Sequence, residues 1–403
     1  MEKRLTSKSN LVVLILGLVL VFILGLISCS SGGGSGAGSV SAPSSTQGAS
    51  SSVEQAASQA ASTSEATSTS EAADASQAES SAEATPSNPG LASALIAESN
   101  IDPYSYADLQ SDLEQLVNAF PSWVRLESIA KTFDDRDVYL LVIGNPEAEN
   151  KVLIHGGIHA REYFTTPLVV RQAAAFLSHA HAGDTYNDTS YTSVLENNAI
   201  YLIPSVNPDG AAISQFGIDG IQTEATLARV QEIADLDGQN LNSAYLRSWK
   251  ANANGVDLNR QFDAMWESYA GPGHPSSDHY KGEAPGSEPE SAALIKLTLD
   301  NNFSRTISYH THGAVIYWYF AQEGEVYDSS YQFAQEISAQ TGYPLDANYQ
   351  NLDPAGYKDW ALESLGIPSL TVEVGWSDSP VPAEQFETIW AQNENVWEAT
   401  LQM

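Results

Sequence analysis

Two residues with metal-binding side chains, His159 and Glu162, stand three positions apart just after a short apolar segment. That segment, residues 151–154, is rich in β-branched residues. Gly156 and Gly157 follow it, so the pattern predicts a buried strand that ends in a sharp turn. Open α/β sheets usually hold their ligands beyond such strand ends. An imidazole nitrogen and a carboxylate oxygen both suit zinc, and a catalytic zinc usually takes three protein ligands. The spacing alone is a weak signal, and the pair requires a third ligand elsewhere in the chain.

The third ligand is expected at the end of a second strand. Residues 306–311 have the pattern of a strand that runs into a loop, and this segment contains His310. His312 is an alternative, because residues two apart on a strand share a face, and one metal could take both. His155 is a weaker alternative, because the two glycines between it and His159 argue against a common helical face.

A candidate catalytic base is Glu373, which lies between Val372 and Val374 in an apolar strand pattern. Burying an unpaired carboxylate costs several kcal/mol, so this side chain must face a metal, a cation or water. Metal-assisted hydrolysis needs a nearby base to take a proton from the attacking water, and burial moves the pKa of a carboxylate toward the useful range. A structural ion pair is the alternative interpretation.

The segments around these residues predict a parallel βαβ core, because strands and helices alternate at the required spacing. Strands are predicted near 124–126, 138–143, 199–203, 315–320 and 369–374, and helices at 106–119, at 167–180 and near the C-terminus. His179 and His181 are interpreted as solvent-exposed residues of a polar loop.

The first 28 residues have the pattern of a secretory signal, since three basic residues precede an apolar run at 11–27 and a small residue precedes Cys29. The ending resembles the bacterial lipoprotein motif, in which the cysteine is lipidated and becomes the mature N-terminus. Cys29 is the only cysteine, which supports this interpretation. An uncleaved signal anchor is the alternative. We expect export and lipid anchoring at the outer face of the bacterial cytoplasmic membrane.

Residues 29–100 are rich in Ser, Ala, Gly, Thr and Glu, and this composition predicts a disordered tether. Residues 101–403 are predicted to form one catalytic domain, which contains no cysteine and therefore no disulfide. The domain has 14 Lys and Arg against 42 Asp and Glu, a net charge of −28. This charge argues against nucleic acid and anionic lipid head groups as partners.

Four motifs resemble those of the zinc carboxypeptidases of the carboxypeptidase A type. They occur in the family's order, at residues 159–162, 255–260, 308–310 and 371–373, and the resemblance covers roughly residue 104 to the C-terminus. It implies an α/β fold with a mixed, mostly parallel eight-stranded sheet and helices on both faces. It also implies a metallocarboxypeptidase that hydrolyses a C-terminal peptide bond.

Carried over by position, the resemblance implies that His159, Glu162 and His310 bind one Zn²⁺ ion and that Glu373 is the general base for the zinc-activated water. Where digestive members have an arginine that polarises the reacting carbonyl, this chain has Lys250. A lysine can still stabilise the developing oxyanion as a point charge.

The resemblance also implies a set of substrate-binding residues. Asn259 and Arg260 would hold the terminal carboxylate, which a bidentate guanidinium suits well. Arg161 would make a secondary carboxylate or substrate contact, and Arg247 would line the outer cleft. Surface solvation is the alternative for these arginines.

Two positions depart from the digestive members. Counting back from Asp359 places Asn351 where the family has a mobile tyrosine, with Tyr349 two residues away, so Tyr349 is kept as a candidate. Lys358 stands at the specificity-pocket position, where a cation would favour a substrate with an extra carboxylate.

Residues 249–252, 310–313 and 356–360 look more like the bacterial members that cut the γ-D-glutamyl–diaminopimelate bond of peptidoglycan stem peptides. Diaminopimelate has a second carboxylate that Lys358 could bind. Ordinary trimming of exported peptides is an equally supported alternative. A non-catalytic protein that binds peptide ends is a third, although the three ligands and Glu373 are all present. We expect a monomer.

Overall fold

The computed structural model describes residues 101–347 and 349–403. The predicted signal peptide, Cys29 and the tether lie outside these residues, so those predictions stay predictions. Among the helices of the described residues, none has the length and apolar character needed to cross a membrane.

In the described part of the chain, eight strands form one mixed sheet in the order β1-β2-β6-β3-β7-β10-β8-β9. The four central strands β6, β3, β7 and β10 pair in parallel, whereas β1, β2 and β8 add antiparallel edges. The strands are β1 (Val124–Lys131), β2 (Asp137–Gly144), β3 (Asn150–His155), β6 (Asn198–Ile203), β7 (Phe303–Thr311), β8 (Val315–Tyr317), β9 (Leu345–Asp346) and β10 (Ser369–Val374), and β4 (Thr185–Tyr186) and β5 (Thr189–Ser190) form a separate hairpin. The predicted fold class is confirmed.

Helices cover both faces of the sheet. They are α1 (Tyr106–Ala119), α2 (Thr165–Ala182), α3 (Tyr191–Asn197), α4 (Pro208–Phe216), α5 (Glu224–Leu236), α6 (Ser243–Arg247), α7 (Pro289–Asp300), α8 (Gly324–Thr341), α9 (Tyr357–Leu365), α10 (Phe386–Asn393) and α11 (Val396–Leu401). Helix α2 extends two residues beyond its predicted end. The loop predicted for His179 and His181 is therefore wrong, because both lie in the last turn of α2; they are exposed, as expected.

The alternation of side chains along β3 shows how the sheet separates two cores. Val152 and Ile154 point into the core that is covered by α1, α2, α3, α8, α10 and α11. Leu153 points the other way, into the core with Leu294 of α7 and Trp360 of α9. A strand buried on both sides reads as a continuous apolar run, and this explains why the β3 pattern lacks polar alternation.

The turn that follows β3 is tied to two other segments by Asn207, which is fully buried. Its Oδ1 accepts a hydrogen bond from Gly210 N and so caps α4. Its Nδ2 donates to the carbonyl oxygens of Ile158 and Ala251, at 3.3 and 3.0 Å, and its backbone N donates to Gly157 O. One side chain thus joins the His159 turn, the start of α4 and the loop that contains Lys250.

We expect Asn207→Ala to lower the free energy of unfolding by about 2–4 kcal/mol. The substitution removes a helix cap and leaves two buried carbonyl groups without their partner. Urea unfolding of the variant and the parent protein measures the difference. Asn242→Ala is the matched control: it removes the cap of α6 at an exposed position and should cost about 1 kcal/mol. A loss no larger than that of the control would contradict the linking role of Asn207.

Candidate metal centre and substrate cavity

The two predicted ligands that follow β3 are positioned by its tight turn. Gly157 has a φ of +60°, and a Cβ there would lie 2.9 Å from Thr166 Oγ1, so a glycine is required. His159 is the N-cap of a short 3₁₀ turn, Ala160–Glu162, and its side chain contacts that of Glu162. Ala160 N donates to Lys250 O at 2.9 Å, which holds this turn against the lysine loop.

The structure brings His159, Glu162 and His310 together in one buried cluster. His159 Nδ1 lies 2.8 Å from Glu162 Oε1, and His310 Nδ1 lies 3.0 Å from Glu162 Oε2. The two Nδ1 atoms are 3.2 Å apart. Two imidazole nitrogens and one carboxylate converge on a common point, and this is a donor set that catalytic zinc uses.

A fourth residue supports this metal centre from behind. His159 Nε2 lies 3.2 Å from Asp257 Oδ1, and Asp257 is fully buried. A carboxylate beside one ring nitrogen of a histidine favours the proton on that nitrogen and leaves the other nitrogen free to bind a metal. The donor set and its support therefore fit a zinc ion held by Nδ1 of His159, Nδ1 of His310 and the carboxylate of Glu162.

The two alternative histidines lie elsewhere. His312 is exposed, and its Nδ1 lies 3.5 Å from Ser379 Oγ. His155 is fully buried, and its Nε2 is 2.8 Å from Ser308 Oγ. Burial and the neighbouring histidines lower the pKa of His155 to about 3, so it is a neutral core residue at physiological pH.

Charge interactions keep the two carboxylates of the metal site, Glu162 and Asp257, in their ionised forms. Burial alone would raise the pKa of Glu162, but His159 and His310 outweigh it and lower that pKa far below its usual value. Burial likewise opposes the charge on Asp257, yet Lys250 and His159 keep its pKa well below the usual range. Both carboxylates are therefore ionised throughout the physiological range.

Glu373 lies next to the metal cluster because β10 pairs in parallel with β7, with Glu373 opposite His310. Its Oε2 has no hydrogen-bond partner among the described residues. Burial and the nearby Glu162 carboxylate raise the pKa of Glu373 well above its usual value, while Lys250 opposes the shift. The arrangement provides a carboxylate with spare acceptor capacity beside the metal ligands, as a general base requires.

Lys250 is held by two carboxylates. Its Nζ lies 2.9 Å from Asp257 Oδ2 and 3.5 Å from Asp278 Oδ1. Burial would lower the pKa of Lys250, but Asp257 and Asp278 outweigh it and raise that pKa, so the ammonium group remains charged. Asp257, Asp278 and His279 also form an acidic cluster, but Lys250 and Arg161 already neutralise it, which argues against a second metal ion there.

A cavity of about 360 Å³ opens beside the metal cluster. Of the predicted substrate-binding residues, Arg161, Asn259, Arg260 and Lys358 line it, together with the catalytic candidates Lys250 and Glu373. Arg161 Nη1 contacts Ser248 O and Asp278 Oδ2 at 3.2 and 3.3 Å.

Two predicted substrate-binding residues lie outside this cavity. Arg247 is exposed and interacts with Tyr163. Tyr349 is 57% exposed and belongs to an aromatic cluster, with its ring 4.5 Å from that of Tyr319 and its hydroxyl 3.1 Å from Tyr327 Oη. Asn351, to which the family register pointed, does line the cavity.

Lys358 lies at the cavity wall and is 9% exposed. Its Nζ donates to Tyr319 O at 3.1 Å and to Asp359 Oδ1. An ammonium group has three donors, so Lys358 keeps a donor for a ligand. Asp359 also caps α9 by accepting from Gly356 N, and this bond holds the pair in place.

Three acidic residues of the site were not predicted from the sequence. Asp257 lies in the motif at residues 255–260, beside the predicted carboxylate-binding residues Asn259 and Arg260, and this position is a signal that could have identified it. Asp278 and Asp353 stand in loops with no distinguishing pattern, and only the folded chain brings them to Lys250 and Arg260.

We expect Asp257→Asn to weaken zinc binding about 10- to 100-fold, because it removes the carboxylate that orients His159. Competition with a chromogenic chelator measures the affinity. Asp278→Asn is the matched control, since it also removes a carboxylate from Lys250 but lies away from the ligands; its zinc affinity should equal that of the parent. Equal losses in the two variants would show that the effect comes from Lys250 and not from His159.

Comparison with known proteins agrees with this geometry. The zinc carboxypeptidase family matches residues 109–396. Gamma-D-glutamyl-L-diamino acid endopeptidase 1 of Lysinibacillus sphaericus is 31% identical over 300 residues, which cover 74% of this chain and 72% of that protein. Metallocarboxypeptidase A of Trichophyton rubrum is 28% identical over 314 residues, covering 70% and 67%.

Among solved structures, thrombin activatable fibrinolysis inhibitor superposes with a TM-score of 0.60 at 19% identity, over 76% of each chain. At this identity the likeness concerns the fold. The family match covers most of the chain and includes every residue of the metal cluster. The chain belongs to the zinc carboxypeptidase family, and it is a zinc-dependent peptidase.

Proposed function

We propose that this peptidase cleaves the bond between γ-D-glutamate and a diamino acid in peptidoglycan stem peptides. The observation that carries the proposal is a second buried cation, Lys358, in the same cavity as Arg260. A diaminopimelate leaving group has two carboxylates, and the cavity provides one cation for each. The relative from Lysinibacillus sphaericus, whose name specifies a γ-D-glutamyl-L-diamino acid endopeptidase, supports the same substrate class.

The charge of the cavity also supports an anionic substrate. Four of the domain's 14 basic residues line it: Arg161, Lys250, Arg260 and Lys358. The same lining contains four carboxylates, Glu162, Asp353, Asp359 and Glu373. The cavity lining therefore balances four cations against four anions, whereas the domain as a whole has a net charge of −28. An anionic substrate is therefore repelled less at the cavity than at the acidic remainder of the domain.

The chain's own residues supply the steps of hydrolysis. When bound, zinc supplies Lewis-acid polarisation of the reacting carbonyl and lowers the pKa of water. Glu373 accepts the proton of the attacking water and later delivers it to the leaving amine. The Lys250 ammonium, fixed by Asp257 and Asp278, stabilises the negative charge that develops on the carbonyl oxygen. Arg260 and Lys358 hold the leaving group.

One other hydrolytic function has specific support, and a non-catalytic function is less well supported. Removal of C-terminal residues from exported linear peptides is supported by the relative from Trichophyton rubrum, which is named a metallocarboxypeptidase. Non-catalytic binding of peptide ends would use the same cavity, but the three ligands and Glu373 form a complete hydrolytic set.

The decisive experiment compares two substrate panels with the zinc-loaded protein. One panel contains stem peptides with diaminopimelate, and the other contains linear peptides with varied C-terminal residues. We expect release of diaminopimelate-containing fragments at rates at least about 100-fold above those of Glu373→Gln, because removal of a general base costs at least that factor. Mass spectrometry identifies the products.

Controls separate the alternatives in this experiment. Stepwise loss of single residues from the linear panel alone would replace the proposal with general carboxypeptidase action. Zinc binding with no turnover in either panel would favour the peptide-end binder. Lys358→Gln should lose activity on diaminopimelate substrates and retain it on linear peptides with apolar ends; equal loss on both would remove Lys358 from substrate selection.

The proposal includes export and a lipid anchor on Cys29, with residues 29–100 as a tether that reaches the cell wall. It is supported by the signal pattern of residues 1–28 and by the tether composition. Such an anchor would hold the peptidase on the same side of the membrane as its proposed substrate.

We expect Cys29→Ser to abolish incorporation of a fatty-acid label, so that the protein is no longer recovered as a lipid-modified membrane protein. Labelling in cells with an alkyne analogue of palmitate, followed by gel fluorescence, measures the modification. Ser28→Ala, which keeps a small residue before the cysteine, is the control and should label normally. Equal labelling of the parent protein and Cys29→Ser would exclude the lipid anchor.

A further inference from the structure

Arg260, the proposed carboxylate clamp, is held rigidly at the cavity wall. Its side chain is 8% exposed. Nη1 donates to the carbonyl oxygen of Asn259 at 2.9 Å, and the guanidinium lies over the ring of Tyr269, with Cζ 4.8 Å from the ring centre. The orientation of the guanidinium is therefore set before any ligand binds.

The remaining terminal nitrogen of Arg260 already has a carboxylate partner. Nη2 donates to Asp353 Oδ2 at 2.6 Å, across 93 positions in sequence. Asp353 belongs to the loop at residues 349–356, hereafter the Asp353 loop, which precedes α9, and Asp353 itself lines the cavity. Nε of Arg260 has no hydrogen-bond partner among the described residues. Asp353 therefore occupies only some of the donors of the guanidinium group.

Asp353 differs from the carboxylates that hold the other cavity cations. Its side chain is 67% exposed, whereas the partners of Lys250 are 0% and 29% exposed and the partner of Lys358 is 8% exposed. An exposed ion pair is worth little, because water competes for both charges. Asp353 is thus the cavity counterion that a ligand can displace most easily.

We propose that Asp353 is a specificity-determining residue. Its carboxylate competes with a substrate's terminal carboxylate for Arg260, and it neutralises Arg260 when the substrate has no carboxylate at that point. The cavity then accepts leaving groups that continue beyond the diamino acid as well as those that end there. The identity of the leaving group rests on the proposed function, whereas the competition for Arg260 does not.

Two physical effects lead to this result. When a terminal carboxylate displaces Asp353, its binding free energy includes only the difference between its own ion pair with Arg260 and the Asp353–Arg260 pair. The affinity advantage of a carboxylate over a neutral group is therefore smaller. A substrate without that carboxylate would otherwise cover Arg260 and leave a buried cation unpaired, which is strongly unfavourable. With Asp353 in place, the cation keeps its partner. Both effects reduce the preference for a free carboxyl terminus.

The test measures binding of peptide pairs that differ only in a terminal carboxylate or carboxamide. One pair consists of stem tripeptides that end in diaminopimelate, and the other consists of linear peptides that end in glutamate. Zinc-loaded protein with Glu373→Gln prevents turnover during calorimetry. We expect Asp353→Asn to raise the preference for the carboxylate form by about tenfold or more, with tighter binding of the carboxylate and weaker binding of the amide. Asp353→Ala removes the residual hydrogen bond that an asparagine can make and should produce the larger change.

Asp346→Asn is the charge-matched control, because this residue lies on β9 just before the Asp353 loop and does not line the cavity. It should leave the preference unchanged. An unchanged preference in Asp353→Asn and Asp353→Ala with both peptide pairs would overturn the role of Asp353, even if stem peptides are cleaved. A changed preference with the linear pair would support that role even if stem peptides prove not to be substrates, so the two proposals fail separately.

Discussion

The site depends on one buried carboxylate, Asp257, because it joins the three functions of the centre. Oδ1 lies 3.2 Å from Nε2 of the ligand His159 and also accepts from Asn259 N at 3.1 Å. Oδ2 accepts from Lys250 Nζ at 2.9 Å. The two oxygens of Asp257 therefore position three parts of the site. These parts are the metal ligand His159, the cation Lys250 and the turn that contains Arg260. A fully buried anion is stable only with such partners, so stability and function require the same contacts.

The acidic composition of the domain places a constraint on this arrangement. Each basic side chain in the cavity has a carboxylate partner, yet the partners differ in burial. Deeply buried partners fix Lys250 and Lys358 in position, whereas the partner of Arg260 lies mostly in solvent. The protein thus separates cations that must stay in place from one whose pairing can change with the ligand. All of these cations have a counterion, so it is the burial of the counterion that distinguishes a fixed cation from one that can change partner.

Local sequence patterns predicted the parallel βαβ core and the residues that lie at strand ends, because buried parallel strands and their following turns have strong local signals. The mixed eight-stranded sheet was implied by the resemblance to the family. The local patterns were weaker where tertiary packing decides the structure. Helix α5 has a buried stripe at Thr226, Val230 and Ile233 that could have been identified. The stripe of α8 includes Ser330, Ala334 and Thr341, which carry little hydrophobic signal. The single amphipathic helix predicted at the C-terminus is two helices, α10 and α11. Asp278 and Asp353 contact residues that are distant in the sequence, so no local sequence pattern identifies them.

The raised pKa of Glu373 shows why the metal and the base must be considered together. Burial is the largest cause of this shift, and the Lys250 ammonium opposes it. The negative charge of the Glu162 carboxylate adds to the effect of burial and makes Glu373 more difficult to ionise. A divalent cation among His159, Glu162 and His310 would offset that negative charge and lower the pKa of Glu373 toward the range in which a carboxylate serves as a base near neutral pH. A bound metal would therefore do more than act on the substrate, because it would also favour the ionised form of Glu373 that accepts a proton.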